Sequence, residues 1–301
     1  MSDVSISIAT HNRCEDLLRT CAELARLDPA PCEIIICADG CTDATLDEIR
    51  RQYPQVTLIE NASPLGSVAS RDRILRIAKG EIVLSLDDDS YPVEIDFLAR
   101  LEERFADDPT LAVVSCFQIT DEFPETIDDP ESQRGERRLV ASFPNSAAAI
   151  RREVYIRSAG YPVAFFHAYE EPDFAVQCYA LGYNVLYEPQ LTIRHHFTPA
   201  GRNETRTHHR HARNEFWSTA MRAPWLVLPA VAIYRVASQF RYALRRGVGW
   251  AVREPLWWIA ALRGLPRCLR DRQTVPLADY MRWLKLFRRP SPYHLPSEPQ
   301  A

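Results

Sequence analysis

The chain has 301 residues, enough for one large or two modest domains, and its 46% hydrophobic content is ordinary for a globular protein. Its eight cysteines include no CxxC pair, which argues against a zinc site and reads as reduced thiols in a cytosolic protein. The net charge of −4 conceals a split: residues 201–301 carry 18 Lys or Arg against 6 Asp or Glu, and residues 1–200 carry 18 against 34. All six tryptophans lie in the basic part, so two functional regions are expected, 1–200 and 201–301, the second with an anionic partner. Met1-Ser2-Asp3 leads straight into a strand without a signal peptide. The longest apolar run, 223–234, has 12 residues and two prolines, too short to span a bilayer.

The alternation in Val4 to Ile8 predicts a first strand, ending in Thr10-His11-Asn12-Arg13. A helix follows over 15–27, with Leu17, Leu18, Cys21, Leu24 and Leu27 on one face. Residues 33–38 are a second, buried strand that stops at Asp39-Gly40, and Thr42 or Asp43 caps a helix running to Tyr53. A short strand over 56–60 precedes Ser63-Pro64, an N-cap with proline at the first helical position, and that helix reaches Ala78. The run Ile82 to Leu86 is the next strand. This alternation predicts a doubly wound α/β fold with a mostly parallel sheet flanked by helices. A helix is expected over 92–105, a strand over 111–119, and a mobile loop over 120–138. Residues 139–150 hold a strand whose small residues, Ser146 to Ala149, would let a ligand approach. A short helix over 154–158, a proline-led helix over 172–181 and strands over 183–187 and 191–195 complete this part. Three or four helices follow beyond Gly201, with breaks expected at Pro224, Pro229, Gly247, Gly249, Pro255, Gly264 and Pro266.

The informative stretch is 81–92, EIVLSLDDDSYP, where a buried strand stops at Asp87, Asp88 and Asp89. Three ionised carboxylates at the end of such a strand repel one another and are costly to desolvate. A divalent cation is the usual remedy, since hard cations prefer carboxylate oxygen. Ligands of open parallel sheets gather beyond the carboxyl ends of the strands. A solvated acidic turn is the bland alternative.

The ordered motifs THNR, ADGCTDAT, SRDR, LDDDSYP, FFHAYEEPDF and a closing HH resemble the family 2 glycosyltransferases of GT-A fold over about residues 3–200. The resemblance implies that Thr10, Asn12 and Arg13 belong to a loop where the nucleotide docks, with His11 in place of the usual aromatic. It implies that Asp39 accepts from the base N–H, which favours UDP or dTDP, although Ala38 stands where a first aspartate is usual and Cys41 where serine is. Arg71 then reaches the phosphates, Asp87 and Asp88 contact the nucleotide, and Asp89 with Asp87 and either His195 or His196 holds Mg²⁺ or Mn²⁺. Glu170-Glu171 occupies the acidic pair, with Glu171 the catalytic base. Phe165, Phe166 and Tyr169 give that pair an apolar surround, which raises a carboxylate toward useful basicity. Plain readings stand beside these: Asp39 as a turn residue, Arg71 as a solvated helix residue, and Glu170-Glu171 as helix N-terminus chemistry.

The expected activity is inverting transfer of a sugar from a nucleoside diphosphate to a glycan, lipid-linked or small-molecule acceptor, with no nucleic-acid partner. His208, His209 and His211 are read as a solvated basic face. The basic, Trp-rich extension either closes the acceptor side or lies on an anionic membrane surface through 257–262 and 280–287, making a cytoplasmic protein peripheral on the inner face of the cell membrane. The alternatives are a non-catalytic sugar-nucleotide or membrane-binding module and a sugar-nucleotide pyrophosphorylase, though the latter expects a Gly-rich loop where Thr10 to Glu15 has no glycine.

Overall fold

The computed structural model describes residues 2–198 and 203–294, so the expected boundary at 200/201 lies outside the described residues. The first half runs β1 (Val4–Thr10), α1 (Cys14–Leu24), β2 (Glu33–Asp39), α2 (Thr45–Gln52), β3 (Thr57–Asn61), α3 (Ser67–Ile77) and β4 (Ile82–Asp87). These four strands are parallel. Helices cover both faces, so β1 and β4 are almost wholly buried and read as continuous apolar runs.

The helix expected from Ser63 begins four residues later, at Ser67. The intervening segment is drawn onto Asp39 instead, whose carboxylate accepts from the Leu65 amide at 2.9 Å and the Gly66 amide at 2.8 Å. Gly66 has φ +93°, and a Cβ there would meet the Phe166 carbonyl oxygen at 2.1 Å, so only glycine fits.

β5 (Ser90–Pro92) replaces the first turn of the helix expected from Pro92, and α4 (Phe97–Asp107) starts later. The cause is a cross-strand pairing, in which Tyr91 faces Arg194, and it leaves Ile95 exposed while Phe97 takes the core position. After β6 (Leu111–Thr120), the segment expected as a mobile loop contains the short turns α5 (Glu125–Asp128) and α6 (Pro130–Gln133) and ends in β7 (Arg138–Leu139). It is tethered: Arg134 donates to the Pro189 carbonyl at 2.8 Å, and Arg137 pairs with buried Glu188 at 2.9 Å. β8 (Ala147–Arg151) runs antiparallel between β4 and β6. Its alanines are fully buried by those neighbours, so their smallness serves packing rather than ligand approach.

α7 (Arg152–Arg157), a 3₁₀ turn (Val163–Phe165) and α8 (Glu170–Ala180) lead into β9 (Asn184–His195). The two strands expected at 183–195 are this one strand, which stays paired to β6 across a register shift between Cys116 and Phe117. The extension comprises α9 (Glu204–Arg222), α10 (Leu228–Arg246), α11 (Val248–Ala251), α12 (Glu254–Arg270) and α13 (Leu277–Arg288), then β10 (Ser291–Pro292). The sheet order is β10-β7-β9-β6-β8-β4-β1-β2-β3, with β5 on β9.

Gly264 and Pro266 lie inside α12 rather than breaking it. A Cβ on Gly264 would meet the Trp217 ring at 2.2 Å, so this glycine lets α9 and α12 approach closely. The expected outward face at 280–287 also turns inward: Tyr280, Trp283 and Leu286 are buried, and Trp283 donates to the Ala141 carbonyl at 2.9 Å. His208 is no solvated residue but is buried 2.8 Å from Glu254. One hydrophobic cluster joins Val83 and Ile150 of the sheet to Trp217 and Trp283, so the extension and the sheet share a core.

A buried ion pair fastens this joint. Asp173 of α8 accepts from Arg222 of α9 at 3.1 and 2.9 Å and from Ser218 at 2.7 Å. Removing one partner of such a pair strands a buried charge. Arg222→Leu is therefore expected to cost about 3–5 kcal/mol, read as a fall in the thermal unfolding midpoint. An unchanged midpoint would show that the two regions are not held at this point.

Candidate active site

β4 brings Asp87 to the edge of the sheet and the chain turns sharply there. The Asp87 amide donates to Ser90 Oγ at 2.8 Å, and that hydroxyl donates to the Ser146 carbonyl at 2.9 Å. The three aspartates then point in different directions. Asp87 is partly exposed and pairs with Arg71. Asp88 turns inward, accepting from Thr10 Oγ1 at 2.8 Å and lying 3.3 Å from Arg13 Nε. Burial nonetheless pushes its carboxyl up to about 7. Asp89 is 1% exposed, accepts from Arg13 at 2.7 Å and lies 3.3 Å from His195 Nε2. Burial works to raise Asp89, but His195 and Arg13 together outweigh it and hold the carboxyl below its usual range.

Ligand atoms of Asp87, Asp89 and His195 all lie within 4.8 Å of one another, the one such group among the described residues. His195 Nδ1 is 3.0 Å from Gln118 Oε1. An amide oxygen there accepts a hydrogen bond from Nδ1–H and leaves the Nε2 lone pair toward the aspartates, the usual support for a ligating histidine. Two carboxylates and an imidazole so arranged fit a divalent cation. His196 is not part of the group. It lies just past the end of β9, and its Nε2 sits 3.0 Å from the Tyr91 hydroxyl, with Nδ1 3.7 Å from Asp121.

Across a cavity of about 630 Å³ from Asp87 stand Glu170 and Glu171, in the first turn of α8. Glu170 is 2% exposed and accepts from Asn145 Nδ2 at 3.1 Å, while Asn145 Oδ1 accepts from the Tyr161 hydroxyl at 2.8 Å. Its Oε2 has no hydrogen-bond partner among the described residues. Burial raises the Glu170 carboxyl, and Arg71 partly opposes this. Glu171 is half-buried on the cavity wall; burial first, and then the charge of Glu170, push it up to about 8. Arg71 is buried, which excludes the solvated-helix reading, and it links the two groups by pairing with Asp87 and approaching Glu170 at 3.9 Å.

The segment leading to this pair is strained. Phe166, Ala168 and Tyr169 all have positive φ, which costs about 1–3 kcal/mol for each residue without glycine's freedom. Asn214 of α9 holds it, its Nδ2 lying 3.2, 2.9 and 2.8 Å from the carbonyls of Phe165, His167 and Ala168.

The remaining nucleotide candidates line the ends of β1 and β2. Asn12, at φ 55°, accepts from the Thr42 amide at 2.7 Å and ties the two loops. His11 Nδ1 lies 2.7 Å from the Asp39 carbonyl. Asp39 accepts three bonds, from Asn61, Leu65 and Gly66, leaving about one of its four lone-pair positions. Thr10 and Arg13 are engaged with the aspartates. Ser90, Gln118, Asn145 and Asn214 have no counterpart in the sequence reading. The only signal for Gln118 and Asn145 is a polar residue interrupting small or apolar neighbours, in CFQIT and FPNSAAA.

A mostly parallel sheet with an Asp-Asp-His group at the end of a central strand and a buried acidic pair across a cavity is the architecture of a GT-A fold. The profile for glycosyl transferase family 2 matches residues 5–171. The chain belongs to that family, which sets aside the sugar-nucleotide pyrophosphorylase. It is 34% identical over 116 residues to the chondroitin synthase of Pasteurella multocida (strain Pm70), covering 37% of this chain and 12% of that protein. It is 38% identical over 93 residues to the Escherichia coli UDP-Glc:alpha-D-GlcNAc-diphosphoundecaprenol beta-1,3-glucosyltransferase WfaP, covering 30% of this chain and 37% of that one. The matches thus span well under half of these relatives' length. Among solved structures, the Pyrobaculum calidifontis mannosyltransferase PcManGT in complex with GDP-Man and Mn²⁺ superposes with a TM-score of 0.59 at 21% identity, covering 96% of this chain and 87% of that one; the likeness supports the fold.

His195→Ala and Asp89→Asn are expected to weaken Mn²⁺ binding by more than tenfold in a calorimetric titration. Gln118→Leu should weaken it by about 10–100-fold through loss of orientation, and His196→Ala should change nothing. Weakening by His196→Ala instead would reverse the choice of histidine.

Proposed function

We propose that the enzyme inverts the anomeric centre in one displacement. Glu171 takes the proton of an acceptor hydroxyl as that oxygen attacks the anomeric carbon of a nucleoside diphosphate sugar. The observation that carries this reading is a carboxylate raised to about 8 on the wall of the cavity that also contains Asp87 and Arg71. A base of that strength near neutral pH is suited to general base catalysis. A divalent cation held by Asp87, Asp89 and His195, Mg²⁺ or Mn²⁺, would supply positive charge to the leaving diphosphate.

The chain's own residues do the rest. Glu170, fixed by Asn145 and faced by Arg71, positions the pair and its charge raises Glu171. Arg71 stands at the cavity wall as the cation for a donor phosphate. Thr10, Asn12, Arg13, Asp39 and Asp88 form the rim assigned to the nucleoside, and the remaining acceptor position of Asp39 favours a pyrimidine N3–H, hence UDP or dTDP. The acceptor is a glycan, and WfaP, which by its name uses a diphosphoundecaprenol-linked sugar, supports a lipid-linked one. No helix among the described residues is long and apolar enough to cross a membrane. We read the protein as cytoplasmic, its basic extension meeting the inner face of the membrane.

Glu171 acts only when deprotonated, so turnover should fall as pH drops through about 8. Glu171→Gln should abolish that limb and lower kcat by about 10²–10⁴, while UDP binding with Mn²⁺ persists. Wild-type turnover in Glu171→Gln would remove the base assignment.

A further inference from the structure

A second cavity of about 440 Å³ lies between α9 and α12. Arg206, Arg210 and Arg213 project into it from α9 with spacings of four and three, which puts them on one helix face. Arg253 and His209 complete the lining. None of the four arginines forms an ion pair among the described residues, whereas Arg222 of α9 and Arg235 and Arg246 of the neighbouring α10 each have a carboxylate. Arg210 and Arg213 are half-buried, and burial together with neighbouring positive charge pushes both guanidinium groups down. Glu254 lies 3.7 Å from His209 Nε2, but no described carboxylate reaches the arginines, and gathering their like charges is unfavourable unless an anion joins them.

The wall opposite the arginines is apolar, formed by Leu256, Trp257 and Ala260. Leu256 also begins an exposed apolar face of α12 with Ile259, Leu262 and Leu269, and Val252 just before the helix extends it; Leu256 and Leu262 are 61% and 62% exposed. The opposite face of α12, at Glu254, Trp257, Ala261 and Cys268, is the buried one. An anion pocket therefore opens directly onto an unpartnered apolar surface. The pocket is also wired to the catalytic segment: Arg213 donates to the Phe165 carbonyl at 3.0 Å, and Arg210 lies 4.8 Å over the Phe166 ring.

We propose that this pocket binds the diphosphate of a lipid-linked acceptor, with the first isoprenoid units lying along the apolar face of α12. The inference rests on the transferase reading above and fixes the chemical class of its acceptor. Charge complementarity selects a diphosphate, whose several negative charges match the unpaired guanidinium groups, and the adjoining apolar face selects an alkyl tail over free pyrophosphate.

The test is calorimetric binding to the full chain in EDTA, with farnesyl diphosphate, farnesol and inorganic pyrophosphate as probes. Farnesyl diphosphate should bind at least tenfold more tightly than either of the others. Arg206→Gln/Arg253→Gln, checked for an unchanged thermal midpoint, should lose at least tenfold, and Leu256→Ser/Leu262→Ser should lose the advantage over pyrophosphate. Asp87→Asn/Asp89→Asn should bind farnesyl diphosphate as the wild type does. Pyrophosphate binding as tight as farnesyl diphosphate, equal binding by the arginine variant, or loss in the aspartate variant would each overturn the proposal. Because no turnover or metal is involved, failure here is separable from failure of the Glu171 assignment.

Discussion

The structure depends on how acidic side chains at one edge of a buried sheet are compensated. Asp87, Asp88 and Asp89 follow one another at the end of β4, and Glu170 and Glu171 face them across a cavity. Left alone, such groups would take up protons, since burial penalises the ionised form. Each instead has its own solution. Asp89 is held ionised by Arg13 and His195, Asp87 is paired with Arg71, and buried Asp88 is only partly compensated and shifts upward. The tight turn closed by Ser90 makes this possible, because it separates three adjacent side chains into three environments.

The same constraint explains why Glu170 and Glu171 are not equivalent. Glu170 meets Asn145 and the distal guanidinium of Arg71, so part of its burial is offset. Glu171 has burial and the charge of Glu170 against it, and it faces the cavity. Two adjacent carboxylates with different surroundings thus differ in how strongly they hold a proton, which is the difference the proposed base role of Glu171 rests on.

The strand-helix alternation was legible because a parallel sheet covered on both faces needs apolar runs, and β1, β2 and β4 stand out as such. The aspartates, the His195-His196 pair and the acidic pair stood out because charged residues at strand and helix ends have few structural excuses, but which histidine faces the aspartates was not legible. What the sequence could not show was long-range pairing. β5 was hidden because its partner, β9, lies about a hundred residues away, and the delayed start of α3 depends on Asp39 capturing two amides from a distant loop. Gln118 and Asn145 look like incidental polar residues until the fold places one behind His195 and the other on Glu170. The inward face of α13 could not be told from an outward one, since an amphipathic pattern does not say which partner the apolar side will find.

The extension is best understood through the strained segment at 166–169. Positive φ at three residues without glycine's freedom persists only where surrounding structure over-determines it, and Asn214 does so by meeting three carbonyls of this segment. The Asp173–Arg222 pair fixes the other side of α8 to the same helix. α9 is thus built into the placement of Glu171, and its arginines reach the same segment from behind through Phe165 and Phe166. The two charged regions flanking that segment are opposite in kind: an acidic group suited to a cation on one side, and unpaired guanidinium groups on the other. A diphosphate would need a metal at the first and none at the second. Two anionic ligands would therefore be held at once without competing for one counter-charge, with the strained segment between them leading into the acidic pair of α8.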